Sequence, residues 1–284
     1  MIMSTNELTL SEDKKRTIAL KITTYVVSIL LTFMILTPLY YFLRQTFGEE
    51  VKLVHGAGDN TQLVITPREH MITLKEFRQL FTQADFIGFR NSMIVTCTST
   101  LLNMYFSALT AYAITAYEWK LRAAFEKFII VAMMLPSTVA SIGFVQMCYK
   151  YHLINNLTML IVPALATPMT VFFIRMYLKA TFSKEIVESA RLDGAGEFRI
   201  FNQIMLPLMK PAIATQAIFC FVASWTDEWV PRIILIDNSK NIKTLPLVGS
   251  IQGAGLLMLL PPIILYALLS KHIVEGIALG SVKA

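Results

Sequence analysis

Six stretches of the chain carry no Asp, Glu, Lys or Arg: residues 22–43, 91–117, 128–149, 151–174, 211–226 and 244–270. A helix needs roughly 20 apolar residues to cross a ~30 Å hydrocarbon core, and all but 211–226 reach that length. The pattern predicts an all-α membrane protein of six transmembrane helices. A polar segment, 1–21, precedes the first span at 22–43, a loop occupies 44–87, and the other five spans fall in a core of 88–284.

The polar positions between the spans are uneven. Residues 44–87 contain Gly48, Gly56, Gly58 and Pro67 and read as a loop. A short amphipathic stretch, Leu74, Phe77, Leu80 and Phe81, predicts a surface helix within it. The second large polar segment is 178–210. There Ile186, Val187 and Ala190, and then Phe198, Phe201, Met205 and Leu208, recur at spacings of three and four and predict two amphipathic helices, each with an apolar stripe. Between them stands Asp193-Gly194-Ala195-Gly196, a tight turn in which glycine supplies the left-handed step. Pro207 and Pro211 mark entry into the fifth span. Two readings of 178–210 stand: helices lying on the bilayer surface, or a helix presented to a groove in a partner protein.

Composition sharpens this picture. The chain is 55% hydrophobic and 15% charged, with mean hydropathy +0.57, whereas soluble domains carry about 25% charged residues. Soluble enzymes, secreted disulfide scaffolds and disordered proteins are excluded. Lys14, Lys15, Arg16 and Lys21 precede 22–43 as they would in a cleavable signal. That run is too long for a signal, however, Glu7, Glu12 and Asp13 stand before it, and no small-residue cleavage site follows, so a permanent first span is expected. The net charge of +6 belongs to the span flanks, not to a nucleic-acid surface. With the N-terminus in the cytoplasm, the larger share of the 25 Lys and Arg falls inside, as the positive-inside rule requires.

Candidate chemistry is sparse. Cys97, Cys148 and Cys220 lie singly in apolar windows, and the four histidines form no His-x-x-x-His pair, so no metal site is expected. There is no Gly-x-x-x-x-Gly-Lys to cradle a nucleotide phosphate, and neither His-Glu-x-x-His nor Gly-x-Ser-x-Gly occurs. No catalytic residue is assigned. Charge-free windows also disfavour ion coupling, which normally places ionisable groups at the bilayer midplane. Asn103, Gln146 and Gln216 are polar positions inside spans that either hydrogen-bond neighbouring helices or line a solute path. Trp225 and Trp229, flanking Asp227, stand at a span end, where they serve as a membrane-interface belt or as a sugar-stacking surface.

Glu188-Ser189-Ala190-Arg191-Leu192-Asp193-Gly194-Ala195, followed by Ile204, Leu206 and Pro207, resembles the EAA motif of binding-protein-dependent ABC import permeases. The one departure from the pattern is Ser189, which stands for a second small residue, alanine. Thr73-Leu74-Lys75-Glu76-Phe77, Phe89-Arg90-Asn91-Ser92, Trp225-Thr226-Asp227-Glu228-Trp229 and the ending Val274 to Lys283 are similar to the maltose-type carbohydrate branch. The resemblance covers roughly residues 65 to 284.

It implies the type I ABC importer permease fold, with six transmembrane helices and a cytoplasmic coupling helix in an EAA loop at 178–210. Glu188, Ser189, Ala190, Asp193, Gly194, Ala195, Leu206 and Pro207 would then couple to an ATPase. Asn103, Gln146, Gln216, Trp225, Asp227 and Trp229 would lie on the substrate path or meet the binding protein, the latter also through the loop 231–250. The implied partners are a second, non-identical permease, a cytoplasmic ATPase dimer, an extracytoplasmic solute-binding protein, a sugar or oligosaccharide and membrane lipid. The chain itself would bind no cofactor, ATP and Mg being used by the ATPase. The expected location is a bacterial or archaeal cytoplasmic membrane with both termini inside. Two alternatives remain: the same architecture importing a non-sugar solute such as a phosphodiester or peptide, and a scaffold or receptor that anchors a partner without transport.

Overall fold

A computed structural model of the chain describes residues 5–55, 61–67, 85–236 and 259–271, with side chains at 17–41, 87–236 and 259–271. Two compact units divide at Phe77 and Arg78. In the first, helix α1 spans Thr5–Gly48 and contains the expected first span. Its segment Thr17–Tyr41 has mean hydropathy 2.0. Thr23, Thr24, Thr32 and Thr37 each donate their hydroxyl to the carbonyl four residues back, so these polar groups need no water. Within the expected loop at 44–87, α1 continues to Gly48 and two antiparallel strands follow, β1 Glu49–His55 and β2 Thr61–Pro67. Their register sets Val51 opposite Ile65 and Leu53 opposite Leu63. Among the described residues the fold is helical apart from this hairpin. The surface helix expected around Leu74 to Phe81 lies outside the described residues.

The second unit is built on α2, Asp85–Ala116, which packs along α6, Pro168–Thr181, and α9, Lys210–Thr226. Beside apolar residues such as Met104 and Tyr112, α2 buries polar positions that a soluble helix would expose. Ser92, Thr96, Ser99, Asn103, Ser107 and Ala111 form a buried stripe at spacings of three and four, while Leu101 is 71% exposed. Lipid tails are as apolar as leucine, so helices here associate through small residues that allow close approach and through interhelical hydrogen bonds. The Ser224 hydroxyl on α9, 3.3 Å from that of Thr96, is one such contact.

The window 128–149 is not one straight helix. It breaks into α3, Arg122–Met133, and α4, Ser137–Lys150, bent by 96°. Pro136 has no N–H to continue the ladder and sits at an extended φ/ψ before α4. The window 151–174 is displaced as well. His152 and Asn155, both at positive φ, turn the chain after α4; the next span then runs over Thr158–Thr181, through a short α5, Thr158–Ile161, a 3-10 turn and α6. The charge-free window stopped short because Arg175 ends it. Within the fold Arg175 is buried and paired with Glu126 at 2.5 Å, which lets α6 carry a cation and continue.

After α6 come α7, Lys184–Leu192, and α8, Glu197–Leu208, the latter with a π-turn at Phe201–Met205. α8 meets α9 at a 77° bend beside the buried Met209. Residues 231–234, expected in an external loop of 231–250, belong to α10, Trp229–Ile234, which packs on α4; 237–250 lie outside the described residues. Of the last window, α11, Leu259–Lys271, is described. Among the described residues three helices are long and apolar enough to cross a membrane, or up to five if each bent pair is one span.

Candidate functional site

The EAA-like segment is seated on the main core of the second unit. Val187 and Ala190 of α7 and Ile200, Phe201 and Met205 of α8 are buried together with Tyr112 of α2 and Ile174 and Leu178 of α6. Phe201 sets its ring 5.6 Å from Tyr105 and 5.7 Å from Tyr112, both on α2. Two residues of the apolar stripes at this segment stay outside the core. Phe198 is 74% exposed and Ile186 39% exposed, so neither is a core residue.

The turn between α7 and α8 is closed by backbone bonds. Gly194 has φ +80°; its N–H reaches the Arg191 carbonyl and the N–H of Ala195 reaches that of Ala190, both at 3.0 Å. This is the Schellman arrangement, in which a left-handed residue follows the helix so that its last carbonyls find donors. A Cβ built on Gly194 meets nothing within 4 Å, so the turn faces open space. Around it Glu188, Ser189 and Asp193 are exposed, and Leu192 is 89% exposed. The Ser189 hydroxyl bonds back to the Ile186 carbonyl at 3.0 Å. Ala195 and Leu206 are partly buried against the core, and Pro207 is exposed close to the α8–α9 bend.

Three residues that the sequence reading did not single out for this role bind the turn to the end of α2. Arg191 Nε lies 2.6 Å from Glu197 Oε1. The Tyr117 hydroxyl donates to Glu197 Oε2, and the Arg191 guanidinium sits over the Tyr117 ring at 5.7 Å. Hydrogen bonds from Arg191 and then Tyr117 hold the Glu197 carboxyl below its usual range, so it stays ionised at neutral pH. Burial, and then the carboxylate it serves, push the Tyr117 hydroxyl up. This clasp spans both sides of Gly194 and makes the turn one body with α2.

The other expected positions separate. Asn103 is buried, and its Nδ2 donates to the Ala164 carbonyl at 2.5 Å and to Thr167 Oγ1 at 3.3 Å. It thereby serves the backbone that α5 and α6 leave open where they break. Gln216 is buried in α9, whereas Gln146 on α4 is exposed. Trp225 is buried against Phe221 and Phe89, and Trp229 is exposed. Asp227 accepts backbone N–H groups from Val230 and Trp229 at the start of α10, while desolvation pushes its carboxyl up. Among the described residues no group of three or more His, Cys, Asp or Glu is placed to hold a metal ion.

Apolar helices of membrane-spanning length, packed through small and polar residues, define the class as an integral membrane component. Residues 104–274 match the family described as "Binding-protein-dependent transport system inner membrane component", and the chain belongs to that family. It is 28% identical to the arabinooligosaccharides transport system permease protein AraQ of Halalkalibacterium halodurans over 89% of this chain and 93% of that one. To the melibiose/raffinose/stachyose import permease protein MelC of Bacillus subtilis it is 30% identical, over 80% and 86%. A crystal structure of a bacterial ABC transporter involved in the import of the acidic polysaccharide alginate shares the fold, with a TM-score of 0.63 at 18% identity over the full length of both chains.

Proposed function

We propose that this chain is a permease subunit that passes a sugar or oligosaccharide into the cytoplasm, driven by ATP hydrolysis in a separate ATPase dimer docked on the α7–α8 turn. The observation that carries this reading is the open left-handed turn at Gly194, flanked by the exposed Leu192 and Phe198 and fixed to the core beneath. Large apolar side chains left exposed beside a rigid small-residue turn suit a knob entering a groove. The sugars named for the relatives AraQ and MelC support the solute class.

On this reading the chain has the six spans of the type I importer fold, α7 is the coupling helix, and both termini are cytoplasmic. It contributes no catalytic residue; ATP and Mg are handled by the ATPase. Glu188 meets a basic or hydrogen-bonding patch of that subunit, and Gly194 and Ala195 form the surface of closest approach. Closure of the ATPase pair moves the turn as a lever. The Tyr117–Glu197–Arg191 clasp carries the motion to α2, and the buried Met209 carries it to α9. Two packed permeases then rock between inward-facing and outward-facing states. Gln146, Asp227 and Trp229 are the positions offered to the path, with the buried Asn103, Gln216 and Trp225 setting its walls.

The test is reconstitution of the chain with a second permease, the ATPase and the solute-binding protein in proteoliposomes, assayed for ATP-dependent uptake of labelled oligosaccharides. Uptake that requires the binding protein is expected. ATPase assembly without sugar uptake moves the solute to a phosphodiester or peptide; failure to bind an ATPase leaves a scaffold.

A further inference from the structure

A cavity of about 460 Å³ opens where the end of α2 meets α3 and the last turns of α6, at the same end of the molecule as the α7–α8 turn. Lys120, Arg122, Arg175 and Lys179 line it together with Glu118 and Glu126. Glu126 Oε1 is shared by two guanidiniums, Arg175 at 2.5 Å and Arg122 at 3.3 Å. Glu118 pairs with Lys184, at 3.7 Å. Among the described residues neither Lys120 nor Lys179 has an acidic partner. The Arg175 side chain is more than nine-tenths buried, and among the described residues its Nε–H has no acceptor. A buried donor left unpaired beside surplus positive charge calls for an anion with several acceptor oxygens.

The cavity also leads into an aromatic row. Trp119 lines it, pairs with Phe125 at 5.9 Å, and Phe125 stacks on Phe128 at 6.3 Å. All three rings are exposed, and they follow α3 away from the cavity. Inorganic phosphate would use the cationic part alone, whereas a phospholipid uses both, its phosphodiester among the cations and its acyl chains along Phe125 and Phe128. We propose that this cavity is a binding site for the headgroup of an anionic phospholipid. Its assignment to the cytoplasmic leaflet rests on the proposed function, which orients the α7–α8 turn; the site itself does not. Basic pockets between spans are a recognised means of holding such headgroups.

The test is native mass spectrometry of the full chain in neutral detergent, titrated with phosphatidylglycerol, phosphatidylcholine or inorganic phosphate. Phosphatidylglycerol should be retained at least about tenfold more strongly than phosphatidylcholine, and Lys120→Gln with Lys179→Gln should remove most of that preference. Both substitutions leave the Arg175–Glu126 pair in place. Equal retention of the two lipids, or a preference unchanged in the double variant, overturns the proposal. So does millimolar phosphate that displaces phosphatidylglycerol and takes its place, which would assign the cavity to a free anion. Should the double variant not purify, a photoreactive phosphatidylglycerol on the unaltered chain is expected to label residues 119–128, and labelling spread evenly over the spans overturns the site. Lipid retention is read without ATPase or sugar, so loss of uptake alone counts against the transport reading and leaves this one standing.

Discussion

Gly194 is held at φ +80° with nothing near an added Cβ, so two separate demands can fall on it. The first is conformational: an L-residue in the left-handed region costs about 1–2 kcal/mol, least for asparagine. The second is the clearance a docking partner needs. Gly194→Asn separates them, because asparagine keeps the backbone and fills the space. Thermal stability of the variant in detergent should stay near that of the parent, while ATP-driven uptake in proteoliposomes falls at least about tenfold. Parental uptake in Gly194→Asn would assign the glycine to turn geometry alone. Gly194→Leu should lose both stability and uptake. The neighbouring clasp does not compete with this interpretation, since Arg191, Glu197 and Tyr117 bind the turn from within the chain.

At the scale of elements, the helix break in the fourth span explains Asn103. Where α5 and the 3-10 turn give way to α6, carbonyls lose their intrahelical donors, and Asn103 supplies one of them to Ala164. Ser107 in turn lies 3.3 Å from Asn103 Oδ1. Interhelical hydrogen bonds in membranes are worth roughly 0.6 to 1.7 kcal/mol, so Asn103→Ala should lower the melting temperature without altering solute preference. An unchanged melt with altered preference would place Asn103 on the path instead. The same region shows what the residue pattern could and could not reveal. Windows without charge located α1, α2 and α9, because each lies within a continuous helix. They misplaced the fourth span, because Arg175 is neutralised by Glu126, some fifty residues earlier in the chain, and a pair distant in sequence leaves no local signature. They also passed over the bend at Pro136, whose surroundings are uncharged on both sides. The strands at 49–67 were hidden by glycines read as loop punctuation, although runs rich in β-branched and apolar residues, Val51 to Val54 and Leu63 to Thr66, were present.

At the scale of the whole molecule, the segment 188–207 was legible because its motif is contiguous, and the surface it builds was not. Phe198 fits an amphipathic stripe as well as Phe201 does; only the packing of α7 and α8 on α2 and α6 decides which face is covered. The clasp was out of reach for a similar reason, since Tyr117 and Glu197 stand 80 residues apart. This division between seated and exposed side chains gives the docking reading its sharpest test. Truncating exposed residues away from special features changes stability by about 0.5 kcal/mol or less, whereas an apolar anchor in an interface contributes about 1–2 kcal/mol or more. Leu192→Ala combined with Phe198→Ala should therefore leave the melting temperature and membrane insertion of the chain near parental values. Its affinity for the ATPase, measured by titration in nanodiscs, should fall between about tenfold and a hundredfold, with uptake lost in parallel. Phe201→Ala is the contrasting case: it opens a cavity under the turn at a cost of about 3–5 kcal/mol and should weaken folding and docking together. If the double variant binds the ATPase as tightly as the parent while Phe201→Ala does not, the exposed knob is not the contact, and the ATPase reads some other face of the α7–α8 turn.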